Sequence, residues 1–202
     1  TMLELRYKDH SREEDLWVYT AMFRRIRRYA TSQRTDTIDG TDMIYDDHDG
    51  WYTSPTRNTY KLIGRLDTLV GRHVDNKKAE RITGQGFWNG IQRERVNNWV
   101  VEVVNKDPNY IYSKQIWYID PENWQMNYKI MYNRQGQLWK MYEMFYQEFP
   151  TAIGQKAAYM ACEHTLDFIR SHGSPSKYTK HVISGDIPLK LYQVQSLKDK
   201  TY

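Results

Sequence analysis

The chain has 202 residues, enough for one domain with a substantial core. Its net charge of +4 is small and its acidic residues are interspersed with basic ones, which argues against a nucleic-acid-binding protein. A single cysteine, Cys162, excludes an intrachain disulfide, and no apolar run approaches the ~20 residues of a transmembrane segment.

The first long strand predicted from the sequence is unusually rich in arginine. This strand is predicted over residues 17–29, because aromatic and β-branched side chains dominate the first half of the segment. Side chains alternate between the two faces of a strand, so Arg24 and Arg28 are expected on one face. Arg25 and Arg27 are expected on the other.

Four guanidinium groups on one strand need acidic partners, an anionic ligand or solvent, because unpaired guanidinium groups are rarely buried. Six aspartates follow within residues 36–49. The sequence therefore favours a structural arginine–aspartate network that fixes this polar stretch to the strand. A site for an anion or a lipid headgroup at the same four arginines is the alternative.

The polar stretch over residues 31–50 predicts loops and at most one short helical turn, near residues 41–45. Its segment 46–50 (DDHDG) contains acidic residues like those of a calcium-binding loop. The segment lacks the remaining spacing and the bidentate glutamate of an EF-hand, so it predicts an ordinary aspartate–glycine turn.

The rest of the chain predicts further strands. Residues 58–64 and 67–74 predict two strands interrupted around Gly64, and residues 75–94 predict either a loop with apolar anchors or an irregular hairpin. Four regular runs then follow, separated by turn residues, and they predict an antiparallel meander. The runs cover residues 99–104, 111–119, 125–132 and 138–149.

Alternation in the third of these runs predicts a face for each side chain. The apolar face would carry Met126, Tyr128, Ile130 and Tyr132. The other face would carry Asn127, Lys129 and Asn133 together with Met131, and would be mostly exposed to solvent. The apolar set could be ordinary core, or it could line a cavity for an apolar chain, and the sequence leaves both open.

The C-terminal part predicts one more strand and a helix. Residues 157–170 favour a strand over a helix because apolar and polar residues mostly alternate. Residues 173–175 (GSP) predict a break. Asp186 and Pro188 then predict the start of a helix over residues 189–198.

No motif predicts catalysis. The nucleophile elbow, the phosphate loop and the zinc-protease helix are all missing from the sequence, and Cys162 is expected in the core. Glu163 and His164 with His172 and His181 make a weak metal cluster, and ordinary hydrogen-bonded histidines are the favoured interpretation. We therefore predict no catalytic residue, no cofactor and no metal.

Several segments together resemble one bacterial family. The segments are WVYTAMFRRIRR (17–28), SQRTD (32–36), GTDMIYDD (40–47), IYSK (111–114), WYID (117–120) and YNRQGQLWK (132–140). In order and spacing they resemble the outer-membrane-lipoprotein-sorting-like family, domain of unknown function 1329. The chain departs from the family pattern at Gln115, where arginine is frequent, and at Asn133, where aspartate is frequent.

The resemblance implies a mainly β fold similar to the LolA and LolB lipoprotein carriers, an incomplete antiparallel β-barrel with a few short helices as a lid. It implies one domain over residues 1–202, expected to lack its upstream N-terminal part. It also implies a location in the periplasm or outer membrane of a Gram-negative bacterium. The family itself has no established activity, so fold similarity does not fix the function.

We therefore predict a non-enzymatic envelope protein that binds a lipid or acyl chain on the concave face of a curved sheet, with lipid or lipoprotein carriage as its role. The predicted cavity residues are Met126, Tyr128, Ile130 and Tyr132. The alternative is a structural periplasmic subunit of an outer-membrane or transport assembly, whose partner is another envelope protein.

Overall fold

A computed structural model describes residues 2–10, 12–20, 22–151, 153–178 and 188–200. Antiparallel strands dominate it, which confirms the predicted mainly β fold. The strands are β1 (Met2–Leu5), β2 (Asp15–Thr20), β3 (Arg25–Tyr29), β4 (Asn58–Val70), β5 (Glu80–Arg81), β6 (Trp88–Asn89), β7 (Glu94–Asn105), β8 (Lys114–Ile119), β9 (Met126–Tyr132), β10 (Leu138–Pro150), β11 (Lys156–Asp167) and β12 (His172–Lys177). Short 3-10 helices cover Thr31–Thr35, Tyr45–Gly50, Pro55–Arg57, Asn76–Lys78, Leu189–Tyr192 and Val194–Lys200.

The largest sheet has seven strands in the order β12-β11-β10-β9-β8-β7-β4. From β7 to β12 each strand pairs with the next one in the chain, which confirms the predicted meander and the predicted strand over most of residues 157–170. The edges of the sheet are β4 and β12. The sheet is therefore open, as the predicted incomplete barrel requires.

A separate sheet contains β1, β2 and β3. The prediction of one strand over residues 17–29 is wrong, because the chain reverses and Thr20 lies opposite Arg25. Arg24 occupies the turn with a φ of 49°, and the other three arginines lie on β3. The described turn residues include no glycine, proline or asparagine, so the sequence carries no ordinary turn signal there.

Residues 42–54, here called the covering loop, pack across one face of the large sheet, here called the loop face. Ile44 of the covering loop is buried against side chains from the long strands, which are Met131, Tyr142, Met144, Tyr146 and Met160. The opposite face, the far face, carries a second core cluster. In it, residues 71–91 contribute Val74, Ala79 and Trp88, which pack against Phe145, Ala161 and Cys162.

Cys162 is fully buried in the far-face cluster, which confirms its predicted core position. It lies opposite Phe145 of the neighbouring strand β10. Burial raises the pKa of its thiol to about 12.

Two interruptions predicted from glycine and proline are wrong. β4 continues through Gly64, because a bulge next to this residue absorbs one extra residue while pairing with β7 continues. Residues 173–175 lie inside β12, where Pro175 is tolerated because β12 is an edge strand. Between β4 and β7, the two-residue strands β5 and β6 form the irregular hairpin, with Trp88 buried.

The C-terminal segment forms two 3-10 helices in place of the predicted single helix over residues 189–198. The predicted helix cap, Asp186, lies outside the described residues. Leu197 is fully buried, and its helix contacts β1, β2 and β3, so the segment covers the three-stranded sheet. Among the described helices, none is long and apolar enough to cross a bilayer.

Candidate functional site

A cavity of about 420 Å³ lies between the covering loop and the loop face. Its wall is mainly aromatic and thioether side chains, with few polar groups. Residues that define it are Trp51, Trp117, Trp124, Met126, Met160 and Asp49. A concave, mostly apolar site of this size is typical of ligand pockets.

Two tryptophans of this wall, Trp51 and Trp117, pack against each other and against the ring of Tyr60. The ring of Trp51, in the covering loop, lies 5.2 Å from that of Trp117 on β8 and 6.4 Å from that of Tyr60 on β4, between centroids. Tyr60 and Trp117 are 5.8 Å apart, so the three rings pack mutually in tilted or edge-on geometry. Trp124, in the turn after β8, is 72% exposed and lies at the mouth of the cavity.

The covering loop approaches the sheet closely at Gly50. This residue has a φ of 87°, which favours glycine, and a Cβ added there would lie 3.0 Å from Sδ of Met144. The turn at Gly50 separates two residues of the cavity wall, Asp49 before it and Trp51 after it. A larger residue at this position would displace both.

A buried ion pair holds the covering loop on the sheet. Nζ of Lys129 donates to Oδ1 of Asp47 at 2.5 Å and to the carbonyl of Gly50 at 2.6 Å. The hydroxyl of Tyr112 donates to the other oxygen of Asp47 at 2.6 Å, and burial, reinforced by Asp47, raises the pKa of Tyr112 well above its ordinary value. Both charges are buried, so each depends on the other for compensation.

A second buried ion network joins the covering loop to the three-stranded sheet. Nε of Arg34 donates to Oδ1 of Asp46 at 2.7 Å, and Nη1 donates to Oε1 of Glu4 at 3.0 Å. Nη2 donates to the carbonyl of Tyr52. Arg34 therefore bridges β1 and both ends of the loop segment that carries Trp51.

The prediction that hairpin arginines from both faces pair with the aspartates of residues 36–49 is wrong, because the described residues show no such pair. Arg28 instead pairs with Asp15 on the neighbouring strand. Two of these aspartates, Asp46 and Asp47, pair instead with Arg34 and Lys129. The side chains of Arg34 and Lys129 are buried, whereas the hairpin carries its arginines into solvent.

The four predicted cavity residues do not share a face. A bulge shifts the register of β8 and β9, so that Tyr128 lies opposite Tyr118 but Met126 lies opposite Ile119. Met126 therefore joins the cavity wall. Tyr128, Ile130 and Tyr132 continue the alternation on the far face, where the hydroxyl of Tyr128 accepts a hydrogen bond from Nη1 of Arg93 at 2.9 Å.

The prediction that the second face of β9 is mostly exposed to water is also wrong, because the polar side chains of that face are buried and hydrogen-bonded. Lys129 is fully buried under the covering loop, and Nδ2 of Asn127 donates to Oδ1 of Asn98 at 2.7 Å. The cavity residues that the sequence missed, Trp51 and Trp117, come from elements far apart in the chain. Alternation within β8 could have placed Trp117, but only the packing of the covering loop on the sheet places Trp51 against it.

Two buried glutamates beside the cores have opposite pKa shifts. Burial raises the pKa of Glu163, which accepts hydrogen bonds from the hydroxyls of Tyr142 and Tyr178. Burial also opposes ionisation of Glu143, but hydrogen bonds from His164 and Arg93 outweigh it and lower the pKa of this carboxyl.

We expect these glutamates to give opposite pH dependences of stability. A raised carboxyl pKa favours the folded state at low pH, so the stability of wild type relative to Glu163→Gln should fall as pH rises above the usual value of 4.5. A lowered pKa favours the folded state at high pH, so the stability of wild type relative to Glu143→Gln should rise as pH approaches 4.5 from below and stay level above it. Urea unfolding between about pH 3.5 and pH 7 measures both differences, and parallel profiles would contradict the two assignments.

The two described histidines of the weak metal cluster, His164 and His172, are hydrogen-bonded, as the favoured interpretation predicted. Nε2 of His164 lies 3.1 Å from Oε2 of Glu143, and Nδ1 of His172 lies 2.6 Å from Oδ2 of Asp42. His181 lies outside the described residues. Within the described part of the chain, no group of three His, Cys, Asp or Glu side chains is arranged to hold a metal ion.

A family profile for proteins of unknown function, DUF1329, matches residues 1–197. The chain belongs to the DUF1329 family. The match covers nearly the whole chain and confirms the predicted resemblance. No curated protein matches this DUF1329 chain.

Solved structures share the fold of the DUF1329 chain. A provisionally described outer membrane lipoprotein-sorting protein domain from Vibrio parahaemolyticus has a TM-score of 0.66 at 16% identity, and the match covers 98% of this chain and 70% of that one. A DUF1329 family protein from Desulfovibrio piger has a TM-score of 0.67 at 14% identity, covering 97% and 70%. A LolA superfamily protein from Nitrosomonas europaea matches at a TM-score of 0.49 and 18% identity, covering 89% and 66%. At these identities the likeness to the Vibrio and Desulfovibrio structures shows the fold alone.

Proposed function

We propose that this DUF1329 chain is a non-enzymatic protein of the Gram-negative cell envelope that binds a lipid or acyl chain beneath the covering loop. The observation that carries the proposal is the cavity of about 420 Å³ walled by Trp51, Trp117 and Met126. A periplasmic or outer-membrane location is supported by the family resemblance and by the fold shared with a lipoprotein-sorting domain.

The chemistry of the wall suits an acyl chain. Each methylene transferred from water into such a site contributes about 0.8 kcal/mol. The thioethers of Met126 and Met160 are flexible and can adapt to chains of different shape.

The polar end of the ligand would meet Asp49 and Gln125. The hairpin arginines are not among the residues described in the cavity wall, so they do not supply a counter-charge there. A single carboxylate favours a neutral or cationic headgroup over an anionic one.

The test compares two half-buried residues of β9 on opposite faces of the sheet. We expect Met126→Glu to weaken binding of a fluorescent fatty alcohol, which has a neutral polar end, at least about tenfold, because a carboxylate would enter the apolar wall. Ile130→Glu places the same charge on the same strand but outside the cavity, and should leave binding within about twofold. Mass spectrometry of gently extracted protein, native and then denatured, would identify the lipid that copurifies.

Equal titrations for the two variants, together with protein that carries no lipid, would favour the structural-subunit alternative. One observation supports that alternative directly: the edge strand β4 exposes Leu62, Leu66 and Leu69 by 50–60%. A long edge strand with apolar side chains can accept a strand from a partner protein. A stable stoichiometric complex after mild crosslinking in the envelope would then be the expected finding.

A further inference from the structure

The tip of the β2–β3 hairpin carries two adjacent, highly exposed apolar side chains. Met22 is 84% exposed and Phe23 is 66% exposed. The turn is ordered by a hydrogen bond from the amide of Phe23 to the carbonyl of Thr20 at 3.2 Å. Single exposed apolar residues are common, but a pair at the end of a hairpin forms an apolar patch with a defined position.

Three arginines lie beside this patch, and no described acidic residue pairs with them. Arg24, Arg25 and Arg27 are exposed, and none of them forms an ion pair with another described residue. Arg28, in contrast, is engaged by Asp15. The hairpin tip therefore presents a local positive charge that the described protein does not neutralise.

The apolar and basic side chains face the same hollow. Arg25 and Arg27 are two residues apart on β3 and lie opposite Thr20 and Val18, so they project from one face of the hairpin. A hollow of about 560 Å³ is lined by Thr20, Met22, Phe23, Arg25 and Arg27. A partner that fits it must offer negative charge and an apolar layer together.

We propose that the hairpin tip docks on the surface of an anionic lipid bilayer. The guanidinium groups of Arg24, Arg25 and Arg27 meet lipid phosphates, and Met22 and Phe23 enter the boundary between headgroups and acyl chains. A specific protein interface usually needs about 800 Å² on each partner, whereas a bilayer can be engaged by a tip of this size. The described tip residues do not line the cavity beneath the covering loop, so this docking is independent of the ligand proposed there.

The test measures sedimentation of the full chain with two kinds of vesicle, pure phosphatidylcholine and a three-to-one mixture with phosphatidylglycerol. We expect binding to the anionic vesicles, weakened by salt, and much weaker binding to the neutral ones. Arg25→Gln with Arg27→Gln should weaken binding about 30-fold, and Met22→Ser with Phe23→Ser at least about tenfold.

Matched controls change the same properties elsewhere on the surface. Lys106→Gln with Arg134→Gln removes the same charge from exposed positions, and Leu62→Ser with Leu69→Ser removes exposed apolar side chains from β4. Both controls should bind anionic vesicles within about threefold of wild type. Binding of the fluorescent fatty alcohol in the cavity should be unchanged in the tip variants, which separates this proposal from the cavity ligand.

The proposal is overturned if wild type fails to bind anionic vesicles or binds neutral vesicles equally well. It is also overturned if the controls lose as much affinity as the tip variants, because binding would then follow overall charge or hydrophobicity. The changed residues are exposed, so circular dichroism should show folded protein for every variant.

Discussion

Replacing Lys129 with methionine is expected to lower the free energy of unfolding by about 3–5 kcal/mol, because Asp47 would remain as a buried carboxylate without its cation. The covering loop would also lose the hydrogen bond to the carbonyl of Gly50. Chemical denaturation with urea, followed by tryptophan fluorescence, measures the loss.

The matched control for Lys129 is Lys156→Met. Lys156 also pairs with a carboxylate, Glu148, but its side chain is 76% exposed, so its removal should cost no more than about 1 kcal/mol. The double variant Lys129→Met with Asp47→Asn also removes the unpaired carboxylate and should recover part of the lost stability. The effects of the two single substitutions on the free energy of unfolding should therefore not be additive. If Lys129→Met and Lys156→Met lowered the free energy of unfolding equally, the larger contribution assigned to the buried Lys129–Asp47 pair would be contradicted.

The second large effect is expected at Arg34. Arg34→Met leaves Glu4 and Asp46 without their shared cation and should cost about 3–5 kcal/mol. Because Arg34 joins the three-stranded sheet to the covering loop, hydrogen exchange should accelerate at the amides of β1.

Arg6→Met is the control for Arg34, since Arg6 pairs with the same glutamate through its other oxygen. The side chain of Arg6 is 52% exposed against 3% for Arg34, so its removal should cost at most about 1 kcal/mol and leave β1 protected. If Arg6→Met and Arg34→Met gave the same exchange pattern, the bridging role of Arg34 would be refuted.

The meander after residue 99 could be predicted because each strand is bounded by local turn residues, and turns such as that at Gly136 depend on local backbone preferences. The same logic failed at the β2–β3 hairpin. Its described turn residues, Met22 to Arg24, have no turn preference, and only pairing of the flanking strands reverses the chain there.

The cavity could not be predicted from alternation because one bulge changes the face of Met126 relative to Tyr128. A bulge is a property of two paired strands, so it cannot be read from β9 alone. The burial of the charged side chain of Lys129 could not be predicted from the local sequence either. By itself a lysine indicates a solvent-facing position, and the aspartate that allows its burial lies 82 residues away in the sequence.

The burial of Cys162 has a consequence for how the folded chain behaves in an oxidising environment. Thiol–disulfide exchange and reaction with most thiol reagents require an accessible thiolate, and Cys162 is inaccessible and held protonated by its surroundings. Folded molecules should therefore resist disulfide-linked dimerisation. Because only opening of the far-face cluster exposes the sulfur, the rate at which a thiol reagent labels Cys162 reports how often that cluster opens.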